Sequence, residues 1–401
     1  MRVLVLNRFG LSAMDYAGWL GPDVEVYLLT SADTVQDDAL RRCADSRVVT
    51  SYADDPAVEL LALDWHAAVR FDAVVAMSEF DLLRAARLRE AMRLPGQQPA
   101  GAEAYRDKLR MKHVLRAAGV PVVRHAPVDF ATDLLRFAST LDGPVVVKPR
   151  RGAASVGVHV LHDDEDVREY IRTAPELRGD DPAHLLAEEF LEHDLLHVDG
   201  AWRDGEFVLA WPSRASSQLG FHDSETLFSS MLETHDPRVQ PALDLARRSL
   251  RALPTPDVSL FHAELFHTPT GMLVNEIGCR MGGGRIKTAM EVAFGVNLEE
   301  WYVRNALSAV PWVTGRRAPD PLAGFAIVPP APGRLEFAPE QCPVPGVRRY
   351  KIEVPLGSEL TAARANCDAM ASVTVEGITA DEVNDRLDAA SAWVTQNFVI
   401  V

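Results

Sequence analysis

Glu264 and Glu276 stand twelve residues apart in the segment Phe261–Arg280, on either side of Pro269-Thr270-Gly271. That run has the composition of a three-residue hairpin loop, with glycine where the backbone must turn left-handed. If Thr268 pairs with Met272, Phe266 faces Val274 and Glu264 faces Glu276, with both side chains on one side of the sheet. The carboxylates would then be rooted about 5 Å apart. Like charges so placed destabilise a hairpin unless a cation lies between them, and carboxylate oxygens with room for water are what magnesium accepts. A register slipped by one residue would instead leave one glutamate in solvent and pair the other with Arg280. The hairpin alone leaves both registers open.

Cations and small residues upstream suit a phosphate. Lys108 shares a helical face with Met111 and Leu115, so it either snorkels or meets an anion. Lys148 ends the apolar run Val145-Val-Val, and the small-residue loop holding Gly152, Ser155 and Gly157 joins it to a second β run, Val158 to Leu161. A P-loop leads into a helix and carries Gly-x-x-x-x-Gly-Lys-Ser, which is absent here. Strand, loop, strand is a different device: a flap that folds over phosphates with backbone amides and the Ser155 hydroxyl, or a plain flexible hairpin. Leu185 to Glu192 reads as a strand carrying the acidic pair Glu188-Glu189. His262 shares the face of Glu264, as a base, a neighbour of the metal or a core histidine.

The elements that must position these residues fill a 401-residue chain with 47% apolar and 24% charged residues, room for two or three globular domains. Apolar runs Val3 to Leu6, Val24 to Leu29 and Ala73 to Met77 alternate with helical patterns such as Asp81 to Arg93, as in a parallel α/β sheet. A single glycine follows the first run, so a nicotinamide-binding Gly-x-Gly-x-x-Gly is excluded. Helices are predicted over Ala104–Ala118, Arg238–Ala252, Glu291–Leu307 and Ala380–Gln396. A Ser-rich stretch between Pro212 and Leu232 is a substrate-facing loop or a spacer, and prolines from Pro311 onward mark a boundary. The formal charge of −16 argues against a nucleic-acid partner. No apolar run is long enough to cross a membrane, and the opening Met1-Arg-Val-Leu-Val-Leu-Asn7 reads as a strand of a cytoplasmic protein. Cys43, Cys279, Cys342 and Cys367 are too scattered for a zinc site or a disulfide framework.

Taken in order, Asp107-Lys108, Val-Val-Val-Lys148-Pro with its small-residue loop, Glu188-Glu-Phe-Leu191, then Glu264 and Asn275-Glu276 with Arg280 resemble the ATP-grasp superfamily over most of residues 1 to 310. The resemblance implies an α/β and α+β protein with the ATP-grasp fold. A Rossmann-like α/β domain (1–100) would precede the grasp (101–310, with a lid over about 122–192), and a small α/β module (311–401) would follow it. It places ATP between two subdomains, with Lys108 and Lys148 near the phosphates, the Gly152 to Gly157 loop with Ser155 as the flap, the backbone of Glu189, Phe190 and Leu191 along the adenine edge, and Glu188 orienting the base. Asp194 and His197 stand where relatives carry a ribose-binding glutamate. Glu264 and Glu276 match the magnesium ligands, which manganese can also use, while Gly278 replaces a common third ligand. Asn275 should face away from Glu276 if its strand stays regular. Arg280 matches the arginine that stabilises the transferred phosphoryl group, and Arg285 is placed to grip a substrate carboxylate.

Such enzymes typically make an acyl phosphate from a carboxylate and ATP, then let a nucleophile displace phosphate. Met281-Gly-Gly-Gly284-Arg285 and the C-terminal segment look like the carboxylate-amine and L-amino acid ligase branch. The implied partners are a small carboxylic acid and an amine, with a second copy of the chain as a possible homodimer partner. Biotin-carboxylase-like chemistry, acid-thiol ligation and a non-catalytic ATP-binding regulatory protein are the alternatives.

Overall fold

The computed structural model describes residues 1–35, 37–53, 55–216, 225–307, 317–363 and 368–401. The centre of the Ser-rich stretch, Pro311 and Cys367 lie outside the described residues.

The first unit is a parallel sheet of β1 (Arg2–Asn7), β2 (Glu25–Ser31), β3 (Asp45–Val49) and β4 (Ala73–Ala76), in the order β3-β2-β1-β4. Val3, Leu4, Val5 and Leu6 are all buried, because helices cover both faces of a parallel sheet. The carboxyl ends of β1 and β4 lead into Asn7-Arg8 and Ser78-Glu79-Phe80-Asp81, where open α/β sheets bind ligands.

A second sheet is antiparallel, built from β5 (His125–Val128), β6 (Val145–Pro149), β7 (His159–Leu161) and β8 (Leu185–Glu189), in the order β5-β8-β6-β7. Val145 and Val147 face its helices, Ala131–Ala138 and Asp164–Thr173, while Lys148 points to the opposite side. Asp163 starts the second helix by accepting from the amides of Glu165 and Asp166.

The third sheet has eight strands in the order β13-β12-β9-β10-β11-β14-β18-β16. These are β9 (Asp194–Arg203), β10 (Glu206–Ala215), β11 (Leu227–Met231), β12 (Val258–Thr268), β13 (Gly271–Gly278), β14 (Leu322–Val328), β16 (Val347–Ile352) and β18 (Ala371–Gly377). The helix Val239–Ala252 packs on β9, β10 and β13, and Ala380–Asn397 packs on β14 and β18. Residues such as Val198 and Phe261 are fully buried between these layers, each stabilising the fold by roughly 1.5–3 kcal/mol. The segment after 311 therefore shares the central sheet through β14, β16 and β18, and adds only a small sheet of β15 (Gly333–Phe337), β17 (Glu359–Leu360) and β19 (Val399–Ile400).

Two expected helices are each divided. Residues 104–118 fall in Pro99–Arg106 and Lys108–Ala117, because Asp107 leaves helical geometry (φ −99°, ψ 104°) and its carboxylate caps Leu109 and Arg110. Residues 291–307 fall in Ile286–Phe294 and Leu298–Leu307, separated by Gly295 at φ 69°.

Candidate active site

The hairpin β12–β13 brings Glu264 opposite Glu276, as its spacing suggested, by a different route. Thr268 pairs with Gly271, so the loop holds only Pro269 and Thr270, and a regular ladder would set Glu264 against Asn275. A bulge between Glu264 and Leu265 absorbs one extra residue of β13 and restores the facing glutamates. Asn275 consequently turns into the site, correcting the regular-strand expectation. Its Nδ2 donates to Glu264 Oε2 at 2.8 Å, and its Oδ1 accepts from Lys148 Nζ at 3.1 Å.

Lysines from two other elements meet this hairpin. Lys108, at the start of the helix Lys108–Ala117, places Nζ 3.1 Å from Glu276 Oε2 and donates to the Gly152 carbonyl at 2.7 Å. Lys148 on β6 lies 2.8 Å from Glu188 Oε2 on the neighbouring β8. One helical turn after Lys108, Lys112 is completely buried, 2.9 Å from Glu188 Oε1 and donating to the Asn275 carbonyl at 2.7 Å. Burial opposes ionisation of Glu188, but Lys112 and Lys148 outweigh it and hold the carboxylate near 2. Burial also pulls Lys112 down to about 8 against the attraction of Glu188. Lys148 is instead raised, because Glu188, Glu276 and Glu264 together overcome its burial. Sequence reasoning missed Lys112, although its i,i+4 relation to Lys108 placed both on one helical face.

The Gly152 to Gly157 loop is stitched to the same helices. The Arg150 carbonyl accepts from the Lys108 amide at 2.9 Å, the Arg151 carbonyl from Arg106 Nη2 at 2.9 Å, and Arg150 Nε donates to Asp107 at 3.0 Å. Ala154 (φ 55°) and Ser155 (φ 59°) both adopt left-handed backbone, at a cost of about 1–2 kcal/mol each. A Cβ on Gly157 (φ 74°) would sit 3.0 Å from the Pro149 ring. At the end of β8 the amides of Glu189 and Phe190 donate to the carbonyls of Arg124 and Pro144, and His193 Nδ1 meets the Leu191 carbonyl at 2.6 Å.

Arg280 is held by neither Glu264 nor Glu276. Its Nε lies 2.5 Å from Glu79 Oε2, in the turn after β4, and Arg106 takes Oε1 of the same carboxylate. Burial disfavours the charged Glu79, yet Arg280 and Arg106 keep it below its ordinary range. Glu79 was not singled out from sequence, and its position just past a parallel strand was the available signal. Arg285 is not brought to this cluster: it pairs with Glu353 and donates to Ser372 Oγ at 2.7 Å, so the chain itself supplies the carboxylate partner expected of a substrate.

Beneath Glu264 lies a hydrogen-bonded array. Asp199 accepts from His262 Nδ1 (2.8 Å) and His197 Nδ1 (2.5 Å), His197 Nε2 meets Ser229 Oγ (2.7 Å), and His262 Nε2 lies 3.4 Å from Glu264 Oε1. Burial alone would lower the His262 imidazole, but Asp199 lifts it to about 10. Asp199 thus favours the protonated form of His262, and His197 is engaged by Asp199 and Ser229. Asp194 lies outside the array, paired with Arg214 at 3.1 Å. His197, Asp199 and His262 are also close enough together to hold a metal. Facing oxygen donors make Glu264 and Glu276 the pair that could hold magnesium, while the Asn275 amide turns its nitrogen to Glu264 and its oxygen to Lys148.

No family model matches the chain. Over 234 residues it is 27% identical to an L-arginine-specific L-amino acid ligase of Bacillus subtilis, covering 57% of this chain and 56% of that protein. The chain thus aligns with little more than half the length of that relative. The crystal structure of an L-amino acid ligase from Bacillus licheniformis superposes with a TM-score of 0.80 at 17% identity, over 100% of this chain and 98% of the other. The biotin carboxylase domain of a Hydrogenobacter thermophilus 2-oxoglutarate carboxylase, solved with MgADP, ADP and bicarbonate, superposes with a TM-score of 0.71 at 17% identity, over 100% of this chain and 90% of that one. No helix among the described residues is long and apolar enough to cross a membrane.

Proposed function

The chain has the ATP-grasp fold, and from that premise we propose that it is an ADP-forming ligase joining a carboxylic acid to an amine through an acyl phosphate. One observation carries the reading: Lys108, Lys148, Glu264 and Glu276, from four separate elements, converge beneath a loop anchored to the helix that bears Lys108. The sequence similarity to an L-amino acid ligase and the MgADP bound by a structural neighbour support it.

In this reading Lys108 and Lys148 exchange part of their present carboxylate partners for phosphate oxygens, and Glu264 and Glu276, braced by Asn275, would hold magnesium, which would supply charge neutralisation at the phosphates. Gly152, Ser155 and Gly157 close over the phosphates and keep water from the mixed anhydride. Glu188, with the segment Glu189 to Leu191, borders the base, and its place between two lysines fixes the height of Lys148. Arg280, aimed by Glu79, neutralises the phosphoryl group as a substrate carboxylate oxygen attacks the γ-phosphorus and ADP leaves. A neutral amine then attacks the acyl carbon, phosphate leaves, and the amine gives up one proton. Arg285 takes part in substrate binding only if a substrate carboxylate replaces Glu353.

Incubation with ATP, magnesium and a panel of amino acids, singly and in pairs, tests the reading through release of ADP and phosphate and the mass of the condensed product. AMP and pyrophosphate as products would overturn it, as would ADP release that requires bicarbonate and no amine.

A further inference from the structure

Near the Phe80 ring, which Arg106 also approaches, lies an arginine that the ligase reading does not use. Arg8 follows β1, with its Nε 3.0 Å from Asp81 Oδ2 and its guanidinium 4.9 Å from the centre of the Tyr52 ring and 5.8 Å from that of Phe80. Asp81 is fully buried and also meets Arg84 at 3.5 Å, and Arg84 is tied to the carbonyls of Tyr52 and Ala53. The base of the Arg8 side chain is therefore fixed from three sides. Nε meets Asp81 as an ion pair without a hydrogen bond, and among the described residues no acceptor hydrogen-bonds the two terminal nitrogens, the fork that binds a carboxylate bidentately.

The surroundings are cationic in a chain whose formal charge is −16. Five guanidiniums (Arg8, Arg84, Arg87, Arg106, Arg280) share three carboxylates (Glu59, Glu79, Asp81) in ion pairs among the described residues. Phe80 is 60% exposed although its ring lies 5.9 Å from Arg106 and 5.8 Å from Arg8, so an apolar ring is offered to solvent beside two cations. An anion with a short carbon skeleton fits that combination: the skeleton lies on the ring and the charge meets the fork.

We propose that Arg8 binds a spectator carboxylate, one that is not phosphorylated, on a substrate lying along Phe80 toward Arg280. The proposal rests on the ligase reading for the identity of that substrate. Two sources carry the same chemistry: the α-carboxylate of an amino acid serving as the amine, or the second carboxylate of a dicarboxylic acid.

Calorimetric binding to the full chain, saturated with magnesium and a non-hydrolysable ATP analogue, distinguishes them with four probes: L-alanine, L-alaninamide, L-glutamate and L-glutamine. The expected result is that one acid binds about tenfold or more tightly than its amide, the worth of one charge-assisted contact. The alanine pair reports an α-carboxylate and the glutamate pair a second one. In Arg8→Gln the preference should fall below about twofold, whereas Arg8→Lys, which keeps a cation against Asp81, should retain part of it. Equal binding of acid and amide, absence of binding by all four, or an undiminished preference in Arg8→Gln would overturn the inference. Should Arg8→Gln fail to fold, the wild-type pairs and Arg8→Lys still decide. ADP release in parallel samples, with ATP in place of the analogue, separates the two readings: ADP without acid-over-amide discrimination sinks the Arg8 assignment alone, and discrimination without ADP sinks the ligase reading alone.

Discussion

The Glu79 carboxylate lies 2.5 Å from Arg280 Nε, joining positions 201 residues apart from the parallel sheet and the central sheet. Because Arg106 occupies the other oxygen, Glu79 is fixed before any substrate arrives and can aim Arg280. Glu79→Gln keeps the shape and weakens the aim. Its acid-dependent ADP release is expected to fall about 10- to 100-fold in kcat, with KM for ATP little changed, in steady-state kinetics. Wild-type kcat would show that Arg280 needs no such support.

Asn275 bridges a lysine and a candidate metal ligand. In Asn275→Leu, Lys148 loses an acceptor and Glu264 a donor, so the facing glutamates repel without a brace. Titration of Mn2+ by electron paramagnetic resonance should show affinity in the nucleotide complex weakened by roughly 10- to 100-fold. Unchanged affinity would remove Asn275 from the metal's surroundings.

Glu188 makes the fold sensitive to acid. Its folded pKa of about 2 lies below the ordinary 4.5, so its contribution is complete above that ordinary value and is lost as pH falls toward about 2. Urea unfolding between about pH 6 and pH 3 should therefore show declining stability, with a shallower decline in Glu188→Gln. That variant leaves Lys112 and Lys148 buried beside a neutral amide and should lose about 3–5 kcal/mol at neutral pH. An equally steep decline in the variant would contradict the assignment.

Gly282 closes the loop over the histidine array. A Cβ there would lie 2.5 Å from Ile286 Cδ1 and 2.7 Å from both Asp199 Oδ1 and His262 Nδ1. Gly282→Ala is expected to destabilise the protein by about 1–3 kcal/mol, seen as a lower Tm in thermal unfolding. A Tm at or above the wild-type value would mean that the loop relaxes freely.

The facing glutamates show how much of the site was legible in the sequence. Their pairing follows from spacing under a three-residue loop and a regular strand, yet the hairpin has a two-residue loop and a bulge, and the two departures cancel. Local composition signals a turn, but whether an extra residue sits in the loop or in the ladder depends on what the displaced side chain can reach. Here Asn275 reaches Lys148, 127 residues away in the chain. The continuous apolar run of β1 and the helical periodicity of Val239–Ala252 were readable because burial imposes each pattern. Lys112, Glu79 and Asp199 were not, since a lone charged residue shows its partner only after distant elements pack. Arg285 followed the resemblance, whereas its contact with Glu353 depends on the C-terminal segment joining the central sheet.

That shared sheet bears on how the protein can be divided. β11 is an interior strand only because β14 pairs with it from Leu227↔Ile327 to Ser230↔Gly324. A chain cut after residue 310 would retain Lys108, Lys148, Glu264, Glu276 and Arg280, yet it would expose the ladder of β11 and the apolar surface that β14 and the helix Ala380–Asn397 now cover. Unpaired strand edges recruit other chains, so the truncated chain should aggregate rather than work as a minimal catalyst. Residues that touch no proposed ligand thus protect the edge of the sheet that carries Glu264 and Glu276.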